Sequence, residues 1–242
     1  MRKIDGIEKV FLTTNGTLFE ENFDALFSSG IDGINISLNA HDEFLYEKIT
    51  RKKLLEKALR ALELALSIPG CTVKVNCVAM EWNKECLKDI AAFAQIQNVA
   101  VRFIELMPIG EGRSFSPVRE KEVKRLLEKE YGDMYPSKGK MGNGPGRYYE
   151  IPGFIGKVGF ISPISYPFCE KCNRIRLTSV GKLKTCLQTQ EVLDLREMLH
   201  EKKSDEEIKN AITKEIEKKP IFREIIDDFV RIKTMNMSQI GG

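Results

Sequence analysis

LLEKALRALELALSIPGCTVKVNCVAM, residues 54–80, decides how the chain is read. Its first half sets Leu54, Leu55, Ala58, Leu59, Leu62 and Leu66 at helical spacing, which predicts one apolar helix face. Pro69 and Gly70 then close that helix, and VKVNCVAM (Val73 to Met80) is a compact β-branched run that predicts a strand. The same strand character recurs outward in VFLTT (Val10 to Thr14), INISL (Ile34 to Leu38) and VRFIEL (Val101 to Leu106). CLKDIAAFAQI is expected as a second helix, starting at an Asn83 cap and burying Leu87, Ile90, Ala91 and Ala94. Strands that alternate with helices imply an α/β fold with a parallel sheet and right-handed crossovers. Four such units are too few to close an eight-stranded barrel.

The pattern changes after Met107. REKEVKRLLEKEY predicts a helix, and the glycine- and proline-rich SKGKMGNGPGRYYEIPGFIGKVGF excludes a long helix or central strand. RYYEI, KVGFIS, RIRLTS and KLKTC are expected as short antiparallel strands, the last two joined through Val180 and Gly181. SDEEIKNAITKEI follows as a helix with Ser204 and Glu207 at capping-box spacing. The expected division is therefore residues 1–110, an α/β part, and residues 111–242, a C-terminal α+β region.

A net charge of +3 with 30% charged residues is nearly balanced, which argues against nucleic acid as the default ligand. MRKIDGIEKVFLTTNG lacks an apolar signal core, and no run is apolar for the length a bilayer requires. A cytoplasmic protein without a membrane partner is the simplest expectation. In that compartment thiols stay reduced, so clustered cysteines point to metal or redox chemistry rather than disulfides.

Three of the six cysteines fall in CEKCNRIRLTSVGKLKTC, residues 169–186. The two-residue spacer between Cys169 and Cys172 lets two thiolates meet one centre, and a hairpin can return Cys186 to them. A zinc site would need a fourth protein ligand, and the two histidines, His41 and His200, form no ligand-like pair. Three thiolates also suit an iron–sulfur cluster with one iron open to a substrate atom. Spacing leaves both open. If NRIRLTS is a strand, Arg174 and Arg176 share a face and could clamp phosphate or carboxylate; the plainer alternative is a solvated strand face.

Taken together, FIELMPIGEG, GNGPGRYYEIPG, KVGFISPISYPFCEKCNRIRLTSVGKLKTCL and MNMSQIGG strongly resemble the GTP 3′,8-cyclase family, radical S-adenosylmethionine lyases that begin molybdenum-cofactor biosynthesis. The resemblance runs from about Ile4 to Gly242 and implies a partial (β/α) radical-SAM barrel followed by a cluster- and GTP-binding region. It implies Cys169, Cys172 and Cys186 as ligands of a [4Fe–4S] cluster, and Thr13, Lys74, Arg174, Ile175 and Arg176 as GTP contacts. Ser37 and Met107 inherit contacts to S-adenosylmethionine, and Arg102 is an active-site cation. Asn39 stands where the family commonly has aspartate, and the terminal Gly241 and Gly242 match a tail that inserts toward the active site.

The family's C-x3-C-x2-C triplet, which carries its N-terminal [4Fe–4S] cluster, and its GGEP segment have no counterpart here. The expectation is thus the C-terminal part of the enzyme, incomplete alone, working with a complementary N-terminal chain and an electron donor. A homodimer is also an assembly the resemblance implies. The alternatives are a non-catalytic module that binds GTP or a cluster, and a zinc-stabilised module.

Overall fold

The computed structural model describes residues 4–139, 141–142, 144–187, 189 and 192–219, so Gly241 and Gly242 lie outside the described residues. The chain forms two compact units, one of Met1–Leu106 with Ser116–Ser165, the other of Met107–Phe115 with Tyr166–Gly242.

The first unit runs β1 (Phe11–Thr14), α1 (Phe23–Ser28), β2 (Gly33–Ser37), α2 (Glu43–Thr50), α3 (Leu55–Leu66) and β3 (Thr72–Ala79). It continues through α4 (Leu87–Ile96), β4 (Ala100–Glu105), α5 (Glu120–Tyr131), β5 (Tyr135–Pro136), β6 (Arg147–Glu150) and β7 (Lys157–Ile161). The strands form one sheet in the order β1-β2-β3-β4-β7-β6-β5. From β1 to β7 each neighbour is parallel and each crossover advances in the same direction. Right-handed crossovers then place their helices on the same face of the sheet. This is the partial (β/α) architecture expected of the chain.

Strand alternation decides what each face carries. Ile34 beside Val73, Val75 beside Val101 and Val158, and Cys77 beside Phe103 and Phe160 form apolar rows toward the helices, all buried. Asn35, Ser37, Lys74, Asn76 and Arg102 fall in the opposite phase.

α4 buries Leu87, Ile90, Ala91 and Ala94 as the spacing predicts. On α3 the buried stripe is Leu55, Ala58, Ala61, Leu62 and Ala65, whereas Leu54, Leu59 and Leu66 are half-buried. The stripe is turned toward the alanines because the chain after β1 packs against them. A Cβ on Gly16, at φ +82°, would meet the Ala61 Cβ at 2.9 Å. Asn83 does not cap α4. A 3-10 turn over Glu81–Cys86 precedes the helix and draws the Asn83 side chain inward. There Asn83 Oδ1 accepts from Met80 N–H at 2.9 Å, and Nδ2 donates to the carbonyls of Asn39 and Val78 at 2.8 Å each.

KVGFIS differs from the purely antiparallel expectation. β7 pairs antiparallel with β6 but parallel with β4, because the crossover through α5 returns it beside β4.

The second unit contains β8 (Arg176–Leu177), β9 (Lys182–Lys184), β10 (Leu193–Asp194), α6 (Leu195–His200) and α7 (Asp205–Glu217). Its sheet is antiparallel in the order β10-β9-β8. The expected capping box opens α7: Glu207 N–H donates to Ser204 Oγ, and Ser204 N–H donates to Glu207 Oε2. Among the described residues no helix is long and apolar enough to cross a membrane.

Asn83 is fully buried and serves three backbone groups, the Met80 N–H and the Val78 carbonyl at the end of β3 and the Asn39 carbonyl just after β2. Asn83→Ala should therefore lower unfolding free energy by about 2 kcal/mol, the penalty for buried polar groups left unpaired. Urea denaturation checks this; a loss below about 0.5 kcal/mol would show that the turn holds itself.

Candidate functional site

The face of the first sheet opposite the apolar rows carries polar side chains in two levels. Thr13, Asn35 and Lys74 stand side by side on β1, β2 and β3; Ser37, Asn76, Arg102 and Gly159 form the next level on β2, β3, β4 and β7. Hydrogen bonds knit them together. Arg102 Nε donates to Asn76 Oδ1 and Nη2 to Asn35 Oδ1, both at 2.8 Å, and Asn35 Nδ2 donates to Thr13 Oγ1 at 3.1 Å. A Cβ on Gly159 would lie 2.8 Å from the Tyr148 ring and 3.4 Å from Arg102 Cγ. Glycine here leaves room for that ring next to the guanidinium.

Two buried cations therefore share this face, Lys74 at 3% exposure and Arg102 at 9%. Burial lowers the Arg102 pKa, opposed by Tyr148. Lys74 is brought down to about 8, by burial first and then by the charges of Arg102 and Lys9. Its Nζ donates to the Met141 carbonyl at 2.7 Å and lies 5.0 Å from the Phe11 ring centre. Among the described residues their hydrogen-bond partners are neutral oxygens, not carboxylates. Buried positive charge without a counter-ion is a standing attraction for an anion.

At the end of β4, Glu105 is also buried but fully engaged. It accepts from the N–H groups of Ile164 and Ser165 at 2.9 and 2.8 Å, from the Ser165 hydroxyl, and from Arg119 Nη1 at 2.7 Å. Burial alone would raise its pKa, but these donors hold it below the usual carboxylate range.

In the second unit a 3-10 turn over Cys169–Lys171 sets the spacing of the first two thiols, with Cys172 N–H donating to the Cys169 carbonyl at 3.1 Å. β9 returns the chain so that Cys186 follows it after Thr185. Each thiol is partly exposed. Burial and then the charges of Cys186 and Cys172 raise the Cys169 pKa. Burial would raise Cys172 too, but hydrogen bonds from the Arg174 backbone and guanidinium, with the charges of Arg174 and Lys219, bring it below the ordinary thiol value.

The strand bearing the arginines is shorter than expected. β8 covers only Arg176–Leu177, so alternation along a strand does not align Arg174 with Arg176. Arg174 instead reaches back to Cys172 and lies 5.1 Å over the Phe168 ring. Arg176 is half-buried, its pKa lowered by burial and Arg174 and supported by Cys186 and Cys172. Ile175 between them is exposed, and Met107, half-buried, begins this unit.

Among the described residues no three His, Cys, Asp or Glu side chains are gathered to hold a single metal ion. Cys169, Cys172 and Cys186 are partly exposed; Cys169 lies near enough to Cys186 and Cys172 to feel their charges, and Arg174 and Lys219 stand beside Cys172, so the three thiols are a soft donor set that a zinc ion or an iron–sulfur cluster could use. Cys77 and Cys86 are buried thiols with pKa values raised chiefly by burial, Cys86 to about 11, as befits packing residues.

Asn35, Asn76, Gly159, Tyr148 and Glu105 were missed by motif reasoning. A signal existed for the two asparagines: in INIS and VKVN they sit two residues from Ser37 and Lys74, and so on the same face.

The family description Molybdenum Cofactor Synthesis C matches residues 99–223, and that of the Radical SAM superfamily matches residues 1–94. The chain is 40% identical over 221 residues to a protein of Clostridium perfringens strain SM101 named GTP 3′,8-cyclase, covering 91% of this chain and 68% of the relative. Proteins of the same name in Alkaliphilus oremlandii and Heliobacterium modesticaldum are 34% identical over 240 residues and 37% identical over 246. Those alignments cover 99% and 100% of this chain, and 74% and 75% of the relatives.

Lys74 supplies a test of the buried charge. Its folded pKa is depressed, so the charged ammonium opposes folding below pH 8; between pH 8 and the unfolded value the unfolded chain binds more protons and stability rises. Lys74→Met should be more stable than wild type at pH 7, on the order of 2 kcal/mol, with the advantage shrinking from pH 8 to 10. A pH-independent difference in chemical denaturation would contradict the assignment.

Proposed function

The chain belongs to the GTP 3′,8-cyclase family of radical S-adenosylmethionine enzymes, and from that premise we propose that it binds GTP for conversion to the 3′,8-cyclised nucleotide. The observation that carries this reading is a pair of buried cations, Lys74 and Arg102, with no carboxylate partner among the described residues, on a face whose register also presents Thr13 and Ser37. A triphosphate is the anion such a face suits. We assign Thr13 and Lys74 to GTP, Arg102 to charge stabilisation at the reacting nucleotide, and Ser37 and Met107 to S-adenosylmethionine.

In the second unit we assign Cys169, Cys172 and Cys186 to a [4Fe–4S] cluster, with Arg174, Ile175 and Arg176 as nucleotide contacts. The superfamily implies a [4Fe–4S] cluster and S-adenosylmethionine, which together would supply hydrogen-abstracting radical chemistry; in this reading that cluster is distinct from the one at Cys169, Cys172 and Cys186, which would hold the nucleotide. The chain's own residues have a different task. The carboxamides of Asn35 and Asn76 hold the Arg102 guanidinium in one orientation, so its charge needs no reorganisation when substrate arrives. Arg174 offers both charge and planar donors next to a cluster thiolate, which favours capture of an anionic ligand there.

Anaerobic reconstitution tests the assignment. One cluster should form at these cysteines; Cys169→Ser, Cys172→Ser and Cys186→Ser should lose it, and Cys71→Ser should keep it. Zinc without sulfide in anaerobically prepared protein would overturn this. By isothermal titration, Arg174→Ala and Arg176→Ala should each weaken GTP binding by about 1–3 kcal/mol. Arg60→Ala, whose guanidinium pairs with Glu20 and Glu63 at the surface, should bind as wild type does.

A further inference from the structure

Cys172 is approached by a side chain that neither cysteine spacing nor family resemblance singles out. α7 ends at Glu217, and Lys219 N–H closes onto the Ile216 carbonyl at 3.1 Å. From there the Lys219 side chain turns into the cysteine loop. Its Nζ donates to the Cys172 carbonyl at 2.8 Å, to the Arg174 carbonyl at 2.9 Å and to Cys172 Sγ at 3.5 Å. An ammonium has three protons, and three acceptors are present. The two carbonyl contacts fix where the charge sits; the third makes it an N–H···S donor to one particular sulfur.

We propose that Lys219 sets the electron affinity of the cluster held by Cys169, Cys172 and Cys186, by fixing a positive charge and a hydrogen bond at the Cys172 sulfur. The inference rests on the cluster assignment above. One-electron reduction adds negative charge that spreads from the irons onto the ligand sulfurs. A fixed cation and a hydrogen bond to sulfur stabilise that reduced form more than the oxidised one, and so raise the potential. Arg174 also donates to Cys172. Its planar group is the better-suited of the two to a nucleotide ligand, whereas Lys219 is tied down by backbone carbonyls and stays with the sulfur.

The two carbonyl contacts also allow a purely mechanical role, so the test must separate charge from anchoring. The full chain is reconstituted anaerobically and its cluster titrated against a chemical reductant at controlled potential, followed by absorbance and electron paramagnetic resonance. Lys219→Gln keeps a neutral donor, Lys219→Met removes donor and charge, and Lys219→Arg keeps the charge. At the wild-type midpoint, Lys219→Gln and Lys219→Met should show an approximately tenfold lower ratio of reduced to oxidised cluster, ~59 mV for a one-electron couple, with Lys219→Arg closer to wild type. A cluster that depends on Cys172 but has the wild-type potential in Lys219→Gln would overturn the proposal, even if Lys219→Met loses the cluster, because Lys219 would then be only an anchor. A cluster that survives Cys172→Ser unchanged would instead overturn the cluster assignment, and this inference with it.

Discussion

Arg102 is buried in the sheet with two asparagine carboxamides and the Tyr148 hydroxyl as its partners, and the rest of the candidate site follows from that choice. A guanidinium out of water requires donors matched to acceptors, and Asn35 and Asn76 provide acceptors without cancelling its charge. Elsewhere in the same unit, buried charge is neutralised directly. Glu120 at the start of α5 meets Arg147 and Lys124, and Glu105 meets Arg119. Breaking such pairs would strand a buried ion, so they serve the fold. Among the described residues no carboxylate neutralises Lys74 or Arg102, and the Arg102 charge works against that of Lys74.

The geometry that permits this is a consequence of topology. Strands β1 to β4 and β7 follow each other in one direction, so the crossover helices cover one face and leave the other to the opposite-phase side chains. On the covered face valine, isoleucine and phenylalanine rows fill the core; on the other, threonine, asparagine, lysine and arginine line up by register. Gly159 keeps that face open at the level of Arg102, where any larger residue would strike the Tyr148 ring. Core and site are thus two phases of the same strands.

Strands and helices with strong periodicity were legible in the sequence. VKVNCVAM and VRFIEL lie where the sheet has β3 and β4, and α4 buries the four residues its spacing marked. Short-range chemistry was less legible. Asn83 resembles a helix cap in sequence, but three backbone groups nearer in space claim its side chain. R-x-R suggested a strand face, yet pairing begins only at Arg176, and the Cys172 sulfur draws Arg174 away. Glu105 and Lys219 could not be found from motifs, because their partners lie about 60 and 47 residues away in the chain. The family resemblance carried the residue assignments; the sequence alone offered no count of which cations lack counter-ions.

The proposal stands or falls on whether the buried cations of the polar face serve a nucleotide, with Lys74 at its phosphates. The direct measurement compares the affinity of the anaerobically reconstituted chain for GTP and for guanosine, in wild type and in Lys74→Met. The account predicts GTP bound at least tenfold more tightly than guanosine by wild type, with most of that difference lost in Lys74→Met. Equal affinity for the two ligands in folded, cluster-loaded wild type would contradict it.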